Sequence, residues 1–297
     1  MTQIDPSMHV AHDKPVYDQR WSKSRGTKDS RILCFRWPKT QVEFFYLQYN
    51  RLIRRSIESY APKRRPLRLL EVGCGRGTAA LFQTVELGVE AYLTDFSFDA
   101  LKIARDNFSE FEAPCRIVQG DAYQLPLPDR SMDVVISLGV LEHFPDPAQP
   151  MAEMCRVLVP DGLMISMNVP ERPDNIQRVA VRLNRHLSAI QRASGWGEAK
   201  PWLDATRSKT GDVFRTYDGA AHFAEATRRA GFHIERIEQV NPFPTIDPLP
   251  RAIEWLVVRG YEAFMALRSR FQPRNNPYGA SERNARCHFV IARKPPT

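Results

Sequence analysis

One stretch limits what this chain of 297 residues can fold into more than any other: Leu69-Leu70-Glu71-Val72-Gly73-Cys74-Gly75-Arg76-Gly77-Thr78. A short aliphatic run of this kind reads as a parallel strand covered on both faces. Glycines directly after it let the backbone turn tightly and approach a ligand before the next helix begins. The stretch is therefore a nucleotide-cofactor loop. A dinucleotide site asks for G-x-G-x-x-G with pyrophosphate at the helix N-terminus. Here Thr78 stands where the third glycine belongs, and Glu71 at the mouth of the loop would repel pyrophosphate. A carboxylate there suits a cationic ligand.

The pattern on either side is that of an α/β chain. Residues 1–30 are polar and weakly periodic, which predicts a mobile arm, with Tyr17-Asp18-Gln19-Arg20-Trp21 its one aromatic segment. Thr40-Gln41-Val42-Glu43 fits a capping box and predicts a helix of about 20 residues. The strand 67–72 is followed by a helix to about 87 with Gly88 as its C-cap, then by a strand over 89–94 that ends at Asp95. A third strand covers 113–119, a fourth starts at Met132, a helix spans 151–158, and a fifth strand spans 163–169. This alternation predicts a parallel, doubly wound sheet. Beyond Pro170 the expected elements are a helical lid over 171–216 carrying Trp196 and Trp202, a core helix over 217–230 and a strand opening at Gly231-Phe232-His233-Ile234. An apolar helix over 252–267 and a last strand over 286–292 follow. Because apolar residues wrap much of the 252–267 helix, it is expected to be a buried cap, with a basic amphipathic segment for a membrane surface, using Arg251, Arg259, Arg268 and Arg270, as the alternative.

Three further segments carry a resemblance. They are the loop above, Gly120-Asp121-Ala122-Tyr123-Gln124-Leu125-Pro126, and Asp133-Val134-Val135-Ile136-Ser137-Leu138-Gly139-Val140-Leu141-Glu142-His143. Together they resemble class I S-adenosylmethionine-dependent methyltransferases with a type 11 core. The resemblance implies a Rossmann-like fold: a seven-stranded, mostly parallel sheet with an antiparallel last strand, here with a helical N-terminal extension and inserted lid segments. It implies S-adenosylmethionine as cofactor, held by Glu71, Gly73, Cys74, Gly75, Gly77 and Leu138. Asp95 takes the ribose hydroxyls, Phe96 lies against the adenine, and Asp121 and Ala122 meet its amino group and ring. His143 lies beside the transferring methyl and is the candidate general base for a hydroxyl acceptor. The tetrad Asn275-Asn276-Pro277-Tyr278 is similar to the N-P-P-Y of amino-group methyltransferases, but it lies far from the fourth strand and is read as a proline turn.

Charge is partitioned along the chain. Residues 1–66 hold 14 Lys/Arg against 6 Asp/Glu, residues 67–170 hold 7 against 15, and residues 171–297 hold 21 against 13. An acidic middle suits a cationic cofactor, and basic flanks suit an anionic acceptor or a membrane surface. The chain divides into an arm and helical cap (1–66), the cofactor core (67–170), the lid (171–216) and the C-terminal half (217–297) with a helical insertion at about 245–283. Five cysteines, Cys34, Cys74, Cys115, Cys155 and Cys287, without C-x-x-C spacing support neither a disulfide framework nor a zinc site. The absence of signal-peptide and membrane-span patterns predicts a cytoplasmic protein. Two acceptor classes stay open: a small metabolite or sugar-like molecule methylated on O or N, or a lipid-like molecule at a membrane surface. RNA is weaker, since no RNA-binding module is present. A cofactor-binding protein without activity is the outside case.

Overall fold

A computed structural model describes residues 6–26, 33–169, 177–194, 216, 218–271 and 276–296. Its centre is a seven-stranded sheet built from β1 (Arg68–Val72), β2 (Glu90–Asp95), β3 (Cys115–Gln119), β4 (Met132–Leu138), β5 (Leu158–Asn168), β6 (His233–Val240) and β7 (Cys287–Arg293). The strand order is β3-β2-β1-β4-β5-β7-β6. All neighbours run parallel except that β7 is antiparallel to both β5 and β6.

Period-two alternation within the strands sorts the core into two layers. Leu69, Leu93, Val134, Ile136, Ile165 and Ile291 face one way, against α2 (Gln41–Tyr60), α3 (Thr78–Leu87) and α4 (Phe98–Glu110). Leu70, Val72, Val135, Met164 and Val290 face the other, against α5 (Ala148–Val157) and α7 (Ala220–Arg229). Between β3 and β4 the chain makes turns in place of a crossover helix.

Local rules hold where the sequence is specific. Glu43 N–H donates to Thr40 Oγ1 at 3.2 Å and Thr40 N–H donates to Glu43 Oε2 at 3.3 Å, so both halves of the capping box form. Gly88 closes α3 in the left-handed region at φ 66°. In the basic run before β1, Arg64 pairs with the fully buried Asp133, whose other oxygen accepts from Arg68 N–H at 2.8 Å.

Two expectations fail. The arm is not a mobile coil: residues 6–24 form α1 (Pro6–Ser24), with Pro15 inside the helix. Tertiary contacts through Tyr17 and Trp21 take the place of the missing periodicity. The apolar helix α8 (Arg251–Phe271) is not a buried cap either, since Glu254 and Val258 are its only buried residues. Within the expected lid the structure describes α6 (Gln177–Ser194), while Trp196 and Trp202 lie outside the described residues. Asn275 does too, but Asn276-Pro277-Tyr278 is the expected turn, with Tyr278 N–H donating to Asn276 Oδ1 at 3.0 Å.

Candidate active site

The carboxyl edges of β1, β2 and β4 bring the expected residues to one place. Gly73, Gly75 and Gly77 sit at φ 64°, 51° and 65°, where a side chain is strained. A Cβ on Gly73 would lie 2.5 Å from Val140 Cγ2, and one on Gly75 would lie 2.9 Å from the Trp21 ring. The loop is thus pinched between the β4 exit and α1. Asn107 Nδ2 donates to the Arg76 carbonyl at 2.9 Å, and Cys74 N–H donates to the Thr94 carbonyl at 3.0 Å, so the turn is braced against α4 and β2.

Asp95 is buried at the end of β2. Its Oδ2 accepts from Gly75 N–H and its Oδ1 from Ser97 N–H, both at 2.9 Å. Each oxygen keeps acceptor capacity, so the carboxylate braces the glycine loop and still presents lone pairs outward. Glu71 is also buried, and its Oε2 accepts from Ala80 N–H at 2.9 Å, which ties it into the first turn of α3. Burial pushes Asp95 up to about 6, with the nearby Asp18 adding to it, and pushes Glu71 up to about 8, with Asp95 adding to it. Burial likewise raises the Cys74 thiol, which keeps it neutral.

Downstream, Gly120 N–H donates to the Asp95 carbonyl at 3.2 Å and so hangs the next segment from β2. Asp121 Oδ1 accepts from Tyr123 N–H at 2.9 Å, forming a local turn that leaves its second oxygen for a ligand, with Ala122 half-buried beside it. Phe96, Leu138 and His143 are half-buried. The Tyr17 ring joins two of them, lying edge-on to Phe96 at 5.6 Å and to His143 at 5.8 Å between centroids. Helix α1 therefore spans the site from the end of β2 to the turn that follows β4. Its Trp21 also carries the Arg76 guanidinium over its ring at 5.3 Å.

Glu142, the neighbour of His143 in the chain, is buried and bonded to distant segments. Its Oε1 accepts from Val169 N–H at 3.3 Å and its carbonyl accepts from Thr216 N–H at 2.9 Å. It thereby clamps the two ends of the 170–215 insertion. The signal was present, because a fully buried carboxylate needs a donor, but the Val169 N–H lies 27 positions along the chain.

The comparisons can be set against this geometry. Residues 70–166 match the family model described as a methyltransferase domain. A demethylmenaquinone methyltransferase of Listeria monocytogenes serotype 4a is 31% identical over 172 residues, covering 57% of this chain and 70% of that one. The chain belongs to the class I S-adenosylmethionine-dependent methyltransferases. A second relative, the demethylmenaquinone methyltransferase of Deinococcus radiodurans, is 32% identical over 131 residues, 44% of this methyltransferase and 54% of that one. Among solved structures, a candidate sarcosine dimethylglycine methyltransferase from Galdieria sulphuraria overlays with TM-score 0.56 at 18% identity, covering 94% and 98% of the two chains, which supports the fold.

The residues present fit a sulfonium cofactor, because the buried Glu71 and Asp95, with Asp18 close to Asp95, gather carboxyl groups at the glycine loop. A cation there favours their ionised forms. The sign of the pH effect follows. Without ligand, Asp95 and Glu71 titrate above their ordinary 3.8 and 4.5, so they add stability at low pH that is lost as pH rises toward 6 and 8. With ligand, ionisation is favoured, so S-adenosylmethionine binding should tighten as pH rises toward 6 through Asp95 and on toward 8 through Glu71, by up to about tenfold per pH unit for each group, and level off above those values. Calorimetry across this range checks it, and Asp95→Asn should remove the lower limb. A flat profile in the unaltered protein would take both carboxylates out of the charge balance.

Proposed function

We propose that this methyltransferase acts on an apolar acceptor whose ring carries hydroxyl groups, of the quinol type, in preference to a sugar-like metabolite. The observation that carries this reading is the set of half-buried rings around His143 at the carboxyl edge. Tyr17 meets His143 and Phe96 at 5.8 and 5.6 Å, and Phe144, the residue after His143, meets Tyr123 at 4.9 Å between ring centroids. A wall of rings rewards an apolar or aromatic ligand and offers little to a polyol. The demethylmenaquinone named for the relatives from Listeria is an acceptor of the quinone kind, which agrees with it.

Bound S-adenosylmethionine supplies an electrophilic methyl whose bond to sulfur breaks, with the electron pair staying on sulfur, as the bond to the acceptor forms. The chain's own residues then have two tasks. The glycine loop, Asp95 and the covering α1 hold and desolvate the reacting groups, which serves an in-line displacement. His143 takes the proton of the acceptor hydroxyl at a ring nitrogen, which makes the neighbouring oxygen or ring carbon a stronger nucleophile.

A label-transfer assay tests this. Short-tailed naphthoquinol, kept reduced with dithionite, is compared with a hexose acceptor under anaerobic conditions. The expected result is a kcat/KM for the quinol at least roughly 100-fold above that for the hexose. Transfer to the hexose alone, or none to the quinol by protein that binds S-adenosylmethionine, would overturn the reading.

A further inference from the structure

The exposed side of α8 is apolar in a way that chain packing does not explain. At about 100° per residue, Ile253, Leu256, Phe264, Leu267 and Phe271 fall within an arc of roughly 80°. Their exposures run from 40% for Ile253 to 73% for Phe271. The opposite side holds the anchors: Val258 is fully buried, and Glu254 accepts from Gln41 N–H at 3.1 Å, which fixes α8 to the start of α2. Arginines border the apolar arc, Arg259 and Arg270 along one side and Arg268 along the other. Trp37, 75% exposed, adds to the same region, since Arg259 Nη2 donates to the neighbouring Pro38 carbonyl at 2.8 Å.

The neighbouring helix matches in charge. Between 177 and 194 the chain has four arginines and no carboxylate, and Arg182 and Arg185 are exposed. Asn184 links α6 to the segment leading into α8, donating to the Thr245 carbonyl and accepting from Asp247 N–H, both at 2.9 Å. That segment leaves the carboxyl end of β6, which lies level with the ends of β4 and β5 because β6 runs parallel to both. The apolar arc and the site therefore belong to the same end of the sheet.

We infer that α8, with the basic face of α6 beside it, is a docking surface for an anionic lipid bilayer, which α8 meets lying flat. The inference extends the apolar-acceptor reading, since a surface-bound enzyme at this edge receives a lipid-soluble acceptor directly. No described helix is long and apolar enough to cross a membrane, so the contact is interfacial. An apolar stripe bordered by arginines combines burial among acyl chains with attraction to anionic headgroups. A second copy of the chain fits worse, because a two-fold pairing of α6 and α8 would set arginines against arginines.

Flotation of the full chain with vesicles rich in phosphatidylglycerol, against vesicles of pure phosphatidylcholine, tests the inference. The protein should float with the anionic vesicles at about 50 mM salt and much less at about 500 mM. The exposed double substitution Leu256→Glu with Leu267→Glu should lower flotation by roughly tenfold or more and leave S-adenosylmethionine affinity unchanged. Protein that stays in the dense fraction at low salt, or a double variant that floats as well as the parent, overturns it. So does light scattering that finds a dimer which the double substitution splits, because the face then belongs to a second copy. The outcome is separable from the acceptor reading: activity on the short-tailed quinol without flotation removes only the membrane surface, and flotation without that activity removes only the acceptor.

Discussion

His143→Gln should lower kcat on a hydroxyl-bearing acceptor by roughly 10² to 10⁴, leave the Kd for S-adenosylmethionine nearly unchanged and abolish the acidic limb of the pH–rate profile. The argument is positional. His143 stands on the short turn Leu141–His143 that follows β4, and its backbone N–H is taken by the Val140 carbonyl at 3.0 Å, so the residue is fixed relative to the glycine loop that Val140 covers. Its ring is half-buried and meets Tyr17, which also meets Phe96. In the proposed role this half-buried ring, packed against Tyr17 of α1, takes the acceptor proton. Glutamine preserves size and hydrogen bonding but cannot take a proton, so a structural role and a catalytic role separate. Near-normal turnover in His143→Gln, or loss of cofactor binding together with activity, would remove the base from the mechanism.

Gly73→Ala should weaken S-adenosylmethionine binding by roughly 100-fold or more while the protein stays folded. Two costs add. A φ of 64° strains any L side chain by about 1–2 kcal/mol. The new methyl would also lie 2.5 Å from Val140 Cγ2, so the loop must move or the β4 exit must. Either movement disturbs Gly75, whose N–H holds Asp95. The pair Gly73→Ala with Val140→Ala should recover only the steric share of the loss. Calorimetry on both variants decides it: full recovery would mean that backbone strain contributes nothing, and an unaffected single variant would show that the loop is not the cofactor cradle.

The core was legible because its signals are local. The strand and glycine turn from Glu71 to Thr78, the strand end at Asp95 and the Thr40 capping box are each encoded within a few residues, and the structure forms that local geometry. The antiparallel last strand came from the resemblance, since Cys287 to Arg293 alone does not encode its neighbours. What escaped depends on distant partners. Helix α1 is fixed by where Tyr17 and Trp21 land on the site, and its own apolar pattern is weak. Glu142 stands next to His143 in sequence, yet its carboxylate accepts from Val169 N–H and its carbonyl from Thr216 N–H. For α8, the apolar count suggested burial, but a helix can be apolar on two sides for two different reasons, and one side here is exposed.

The place of β7 in the sheet has a consequence for how the protein is made. Cys287–Arg293 pairs with β5 on one side and β6 on the other, although it follows both of them in the chain. While a ribosome is still synthesising residues before 287, β5 presents a bare edge and β6 has nothing to pair with. The nascent chain thus carries unpaired strand edges through most of its synthesis, the condition under which chains aggregate or call on chaperones. Its seven-stranded sheet closes only after translation has passed Arg293, by insertion of β7 between two strands that are already waiting.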